Sequence, residues 1–225
     1  ARKMLLLTLL VTSGLLFNSF YVTGEFSNAL NALIVGFLGG FLGYFYTARP
    51  LRLVSRRGLG ELAIFLSFGP LMTLGALFAI SSSTIELFSD LFYMVLLIGI
   101  PHGLLTTNIL YINQYPDTVS DAKTGKNHLI VTFGKKNARW GYLLILITAF
   151  ISSILLIPSL EMFGDFNKNI FLIGNFALFA YGLFAFINLY KNYDKRELIH
   201  SNLKTIYLQI FYGLFIVTFF NLFFI

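Results

Sequence analysis

The chain has 225 residues, 57% of them hydrophobic and only 12% charged, with a formal net charge of +6, whereas soluble domains carry about 25% charged residues. That composition excludes an ordinary water-soluble fold, and the absence of cysteine excludes a disulfide framework, a thiolate zinc site and a cysteine nucleophile. The basic charge does not indicate nucleic acid as a partner, because Lys and Arg stand in short stretches between apolar runs rather than on one soluble face.

Seven apolar runs, each of about 20 residues, are predicted to span a membrane: residues 4–22, 29–47, 61–80, 91–113, 140–157, 169–189 and 203–224. In hydrocarbon, backbone groups must pair within the spanning structure, which leaves helices or closed barrels, and these runs are twice the length of a barrel strand. The expected class is all-α, a polytopic transmembrane helical bundle. The first run follows Arg2 and Lys3 as a signal peptide would, but no small-residue cleavage site ends it, so it is read as a span. No linker, low-complexity tract or repeat divides the chain, and residues 1–225 are read as one domain.

The connections sort by charge. One set holds Arg2 and Lys3, then Arg49, Arg52, Arg56 and Arg57, then Lys123, Lys126, Lys135, Lys136 and Arg139, then Lys191, Lys195, Arg196 and Lys204. The opposite set holds Glu25, Glu86 with Asp90, and Glu161 with Asp165, Lys168 being its single cation. Basic residues stay on the cytoplasmic side, so the first set is predicted to be cytoplasmic, in a cell-membrane protein whose N-terminus is also inside. The stretch from about 114 to 139 is expected to be a long cytoplasmic loop, and loops of that length usually carry function.

Toward that loop, His102, Thr106, Asn113, Asp117 and Asp121 recur at intervals of four and seven residues, forming one polar stripe on a helix. Polar groups at membrane depth are costly, so the stripe should face a bundle interior or a water-filled cavity. It ends in two carboxylates one helical turn apart, a spacing that suits a shared divalent cation. Magnesium takes one or two carboxylates, with waters and substrate phosphates completing its shell. Lys123, Gly125 and Lys126 follow, placing ammonium groups and a turn where phosphate oxygens would lie. The plainer reading is that two Asp and two Lys solvate a helix end.

The stretch from Ile112 to Gly134, with Asn113, Asp117, Asp121, Lys123, Gly125 and Lys126 in the order N-x-x-x-D-x-x-x-D-x-K-x-G-K, resembles the second aspartate-rich motif of the UbiA superfamily of membrane prenyltransferases. The match extends to Tyr46-Thr47-Ala48-Arg49-Pro50-Leu51-Arg52-Leu53, to Gly58-Leu59-Gly60-Glu61-Leu62 and to Phe68-Gly69-Pro70, which look like the family's middle section. The resemblance implies a nine-helix bundle in which two aspartate-rich motifs bind Mg2+ and a polyprenyl diphosphate at the cytoplasmic side. No N-D-x-x-D element precedes the third family helix here, so the seven spans are expected to be the last seven of nine, and a chain with half of the metal site is not assumed to be active by itself.

On this resemblance Asp117 and Asp121 are the metal ligands and catalytic carboxylates, and Asn113, Lys123, Lys126, Tyr46 and Arg52 bind substrate. Taken alone, Tyr46 reads as an interfacial aromatic and the arginines as cytoplasmic anchors. Glu61 reads as a complement to its own helix dipole, and His102 as an interior histidine. The implied chemistry is electrophilic transfer of a prenyl group to an aromatic acceptor, with membrane lipid as surroundings. The form of the motif looks most like the menaquinone-pathway branch, whose acceptor is a dihydroxynaphthoate. The alternative is a non-enzymatic membrane protein, a transporter or a scaffold.

Overall fold

The computed structural model describes residues 26–81 and 83–223, with isolated positions 10, 13, 14, 17, 20 and 21 before them. The expected span 4–22 falls, apart from those positions, outside the described residues, as do Arg2, Lys3 and Glu25. Every regular element among the described residues is helical: α1 (Phe26–Thr47), a 3-10 turn (Leu53–Ser55), α2 (Leu59–Phe68), α3 (Pro70–Ile80), α4 (Asp90–Lys123), α5 (Leu129–Ile154), α6 (Ile157–Glu161), α7 (Lys168–Asn192) and α8 (Leu198–Phe223). Six continuous or nearly continuous helical segments are long and apolar enough to cross a membrane: Ser27–Thr47, Leu59–Ile80, Asp90–Lys123, Leu129–Glu161, Lys168–Asn192 and Leu198–Phe223. This is an integral membrane protein built as a helical bundle.

α4 is the central element. It packs on α2 and α3 on one side and on α5 and α8 on the other, while α7 joins α5 to α8 and α1 packs on α3. Its Leu105, Tyr111, Ile112 and Tyr115 meet Tyr142 and Leu146 of α5, Leu189 of α7, and Leu208 and Tyr212 of α8 in the main core. Several buried polar groups inside this core find partners, as an apolar solvent demands, although the Tyr115 hydroxyl has none among the described residues. Tyr142 Oη and Thr205 Oγ1 are 2.7 Å apart, Tyr212 Oη donates to Ser153 Oγ at 2.9 Å, and Tyr111 Oη donates to the Ala138 carbonyl at 2.9 Å. Buried Arg139, which the charge pattern placed among the loop cations, lies over the rings of Tyr190 and Tyr193 and donates to the Tyr190 carbonyl at 2.7 Å, tying α5 to α7.

The span 61–80 is found as Leu59–Ile80, with a break at Gly69, where Pro70, lacking an amide hydrogen, starts α3. The break lets the chain touch α4 closely. A Cβ on Gly69 would lie 2.5 Å from the Gly99 carbonyl oxygen, and one on Gly103 would lie 2.8 Å from Gly69 Cα.

The long loop 114–139 is absent as such. α4 runs through Pro116 to Lys123, and α5 starts at Leu129, so only residues 124–128 connect them. Polar composition past the membrane surface does not end a helix. Tyr115 and Asp121 are buried against neighbouring elements and hold the extension in place. A kink at Gly134, with φ +73°, then separates the first turn of α5 from its membrane-spanning part.

The basic connections share one end of the bundle. Arg52 reaches the Thr124 carbonyl at 3.1 Å, and Lys135 pairs with Asp194 at 2.8 Å. Lys168 and Glu161 pair with each other in the α6–α7 connection. In this cysteine-free chain, Lys136→Cys and Glu86→Cys are therefore expected to react with an impermeant thiol reagent from opposite faces of a sealed vesicle. Labelling of both from one face would overturn the alternation.

Candidate functional site

The end of α4 builds the site by local rules. After Lys123 the helix stops on Thr124, and Gly125 takes the left-handed conformation, with φ +76°. The Lys126 amide donates to the Asp121 carbonyl at 2.9 Å and the Gly125 amide to the Ala122 carbonyl at 3.2 Å. This six-residue closure is a Schellman motif, which favours glycine because other residues are strained at positive φ. Its effect is chemical. The turn carries Lys126 back over Asp121, and its Nζ lies 2.7 Å from Asp121 Oδ1.

Asp121 Oδ2 lies 3.2 Å from Nε2 of His128, which is only 1% exposed. His128 is also the N-cap of α5, its Nδ1 accepting from the Val131 amide at 3.4 Å. Burial holds its ring below the ordinary histidine pKa, against the opposing pull of Glu61 and Asp121. The adjacent Leu129 amide donates to Glu61 Oε1 at 3.1 Å. Glu61, in the first turn of α2, thus binds the positive end of α5, 68 residues away in sequence. Its other oxygen, Oε2, is buried with no hydrogen-bond partner among the described residues.

The loop before α2 completes the cluster. Arg52 adopts a left-handed backbone, with φ +41°, and its guanidinium holds the Thr124 carbonyl. A non-glycine residue in that region is uncommon and repays attention. Tyr46, in the last turn of α1, is half-buried, and the charges of Glu61 and Asp121 both reach it. Beside Tyr46 opens a cavity of about 300 Å3, lined by Gly39, Leu42, Gly43, Ala63, Ile64 and Phe68 among others. A second cavity, of about 500 Å3 and bordered by Pro116, Lys135 and Asn202, contains none of the Asp121 cluster.

Of the residues singled out from sequence, the structure therefore gathers Asp121, Lys126, Arg52 and Tyr46. Asp117 stands one turn earlier, exposed, and Lys123 is exposed at the last turn of α4. Asn113 faces α8, where it accepts from the Asn202 side-chain amide. Further along the stripe, Gln209 of α8 reaches Thr106 Oγ1 at 3.0 Å and His102 Nε2 at 3.0 Å, so the stripe faces the bundle.

His128 is not among the residues singled out from sequence; Glu61 does stand in the first turn of its own helix, as expected, and in addition accepts from the first amide of α5. The sequence did signal a cap at His128, since Gly125 stops one helix and another begins within a few residues. Contact with Glu61 was beyond any local pattern.

No group of three or more His, Asp or Glu side chains arranged to hold a metal occurs among the described residues. Asp117 and Asp121 fit magnesium in type, as hard oxygen donors, but are too few to complete its shell without substrate oxygens. Bound there, a cation would share Asp121 with Lys126 and His128.

A buried, doubly held carboxylate, two cations and a neighbouring aspartate thus lie at one end of a bundle of helices long and apolar enough to cross a membrane. Residues 2–221 match the UbiA prenyltransferase family, and the chain belongs to that family. It is 29% identical over 183 residues to the UbiA prenyltransferase domain-containing protein 1 of Dictyostelium discoideum, covering 81% of this chain and 50% of that protein. It is 33% identical over 109 residues to the 1,4-dihydroxy-2-naphthoate octaprenyltransferase of Escherichia coli (strain K12), covering 48% of this chain and 32% of that protein. The chain thus spans half or less of these curated relatives. No solved structure matches it.

Proposed function

We propose that the protein transfers a prenyl group from a polyprenyl diphosphate to an aromatic acceptor, 1,4-dihydroxy-2-naphthoate, at the cytoplasmic face of the cell membrane. Family membership supports the transferase chemistry, and the name of the E. coli relative supports the acceptor. The observation that carries the reading is the pairing of Asp121 with Lys126, returned by the Gly125 turn, with Arg52 of the loop before α2 bound to the Thr124 carbonyl of that same turn.

Asp117 and Asp121 would hold Mg2+, which when bound neutralises diphosphate charge. Lys126 and Arg52 bind phosphate oxygens and stabilise the charge that grows on the diphosphate as its bond to the allylic carbon breaks. Lys123 stands at the same helix end, Asn113 lies about two helical turns away where substrate could extend along α4, and Tyr46 places a hydroxyl at the head of the apolar cavity in which the isoprenoid lies. The electron-rich ring carbon of the acceptor forms the new carbon–carbon bond to the allylic carbon as the carbon–oxygen bond to diphosphate breaks; diphosphate leaves with that electron pair, and the ring regains aromaticity by losing a proton or, at the carboxyl-bearing carbon, carbon dioxide.

Because two carboxylates alone bind magnesium weakly, the full-length protein is expected to bind Mg2+ tightly only when a prenyl diphosphate is present. Calorimetric titration of Mg2+ with and without a non-hydrolysable prenyl diphosphate analogue tests this. Equal affinity in the two titrations would rule out a shared site. Specific binding of neither ligand would favour a scaffold.

A further inference from the structure

We infer that His128 is a positioning residue for Asp121, its imidazole locked in one tautomer so that it holds the carboxylate in the orientation that meets the diphosphate and its metal. The inference rests on the proposed prenyl-diphosphate site and assigns a role within it.

The tautomer follows from the two ring contacts. The Val131 amide can only donate, so Nδ1, at 3.4 Å, must present its lone pair. The ring proton is then on Nε2, which lies 3.2 Å from Asp121 Oδ2 and donates to it. With the ring 1% exposed, water cannot compete for either nitrogen.

The other carboxylate oxygen is held differently. Lys126, at 2.7 Å from Oδ1, has a side chain 37% exposed on a flexible stem, free to swing onto a phosphate oxygen when substrate arrives. His128 has no such freedom, because the N-terminus of α5 grips it and Glu61 grips the next amide. Lys126 is the partner that Asp121 can give up, and His128 the partner it keeps. A helix N-cap is ordinarily Ser, Thr, Asp or Asn, any of which would serve the Val131 amide. The imidazole adds what those lack, a donor long enough to reach Asp121.

The two duties separate by substitution. His128→Thr keeps an N-cap acceptor and removes the donor to Asp121. His128→Gln keeps a donor near the position of Nε2 and weakens the cap. In the full-length protein, Mg2+-dependent binding of a prenyl thiolodiphosphate, followed by calorimetry, is expected to weaken about tenfold or more in His128→Thr, the usual cost of losing a group that orients a metal ligand. Its thermal midpoint should fall no further than that of His128→Gln, because Thr keeps the cap. His128→Gln should recover most of the affinity while melting lower.

Wild-type affinity in His128→Thr would overturn the assignment. So would losses of affinity in both variants that follow their thermal midpoints, since His128 would then be a cap alone. Asp121→Asn separates the two levels of the argument. If it too binds normally, the diphosphate site itself is misplaced; if it loses binding while His128→Thr does not, only the role of His128 falls.

Discussion

Replacing either Asp117 or Asp121 by Ala in the full-length protein is expected to lower prenyl transfer at least a hundredfold. A group aimed at charge that develops in the transition state typically contributes about 3 kcal/mol when it acts in a preorganised site, and that difference in barrier is a factor of about a hundred in rate. The two variants should differ in stability. Asp121 holds Lys126 and His128 and is buried, whereas Asp117 is exposed. Asp121→Ala leaves His128 Nε2 without its partner and should lower the thermal midpoint, while Asp117→Ala should not. Asp165→Asn, exposed in the α6–α7 connection, should leave transfer nearly unchanged. The assay is transfer of a labelled prenyl group to dihydroxynaphthoate in liposomes, with monodisperse elution as the check on folding. Near-normal turnover by folded Asp117→Ala and Asp121→Ala proteins would remove these carboxylates from the mechanism.

The largest effect on stability is expected at the crossing of α4 with the α2–α3 break. A Cβ on Gly103 would lie 2.5 Å from the Phe65 carbonyl oxygen and 2.8 Å from Gly69 Cα, and one on Gly99 would lie 2.8 Å from Pro70 N. These neighbours are backbone atoms, which cannot rotate away as a side-chain end can. Overpacking in a close-fitted interior costs about 1–3 kcal/mol, and with the obstacle fixed on both sides Gly103→Ala should fall at the upper end. For a chain of this size that corresponds to a thermal midpoint lower by about 5 °C or more. Gly75→Ala, whose new methyl would meet Val35 Cγ1 at an ordinary 3.5 Å, should be close to neutral. Equal midpoints for the two variants would show that the crossing can relax. Activity should fall with Gly103→Ala as well, because this contact sets the distance between the Arg52 and Glu61 side of the site and the Asp121 side.

Much of the architecture was legible because the solvent itself selects it. A run such as 169–189 or 203–224 has no polar face to turn to water, so its length alone makes it a spanning helix, and the structure places α7 and α8 there. The acid–base core of the site was legible for a related reason. Asp121, Gly125 and Lys126 lie within one helix stop, and the rule that puts glycine at a left-handed cap also brings Lys126 back over Asp121. Mistakes arose where a local rule had two outcomes. Polar residues after 113 read as a loop, although a helix leaving the membrane can continue through the same composition, as α4 does to Lys123.

The sequence by itself determined the solvent of this protein and its helical class, because each depends on composition or on contacts within a few residues. Only the tertiary structure decided that Glu61 serves the N-terminus of α5 as well as that of its own helix, that Arg52 reaches Thr124 across 72 residues, and that His128 faces Asp121 from a buried cap. A carboxylate near any helix start obeys the same dipole rule. Which start it meets is set by the glycine-tight crossing of α4 with α2 and α3, a contact between backbones that the four-residue spacing of Gly99 and Gly103 permits without naming the helix it meets.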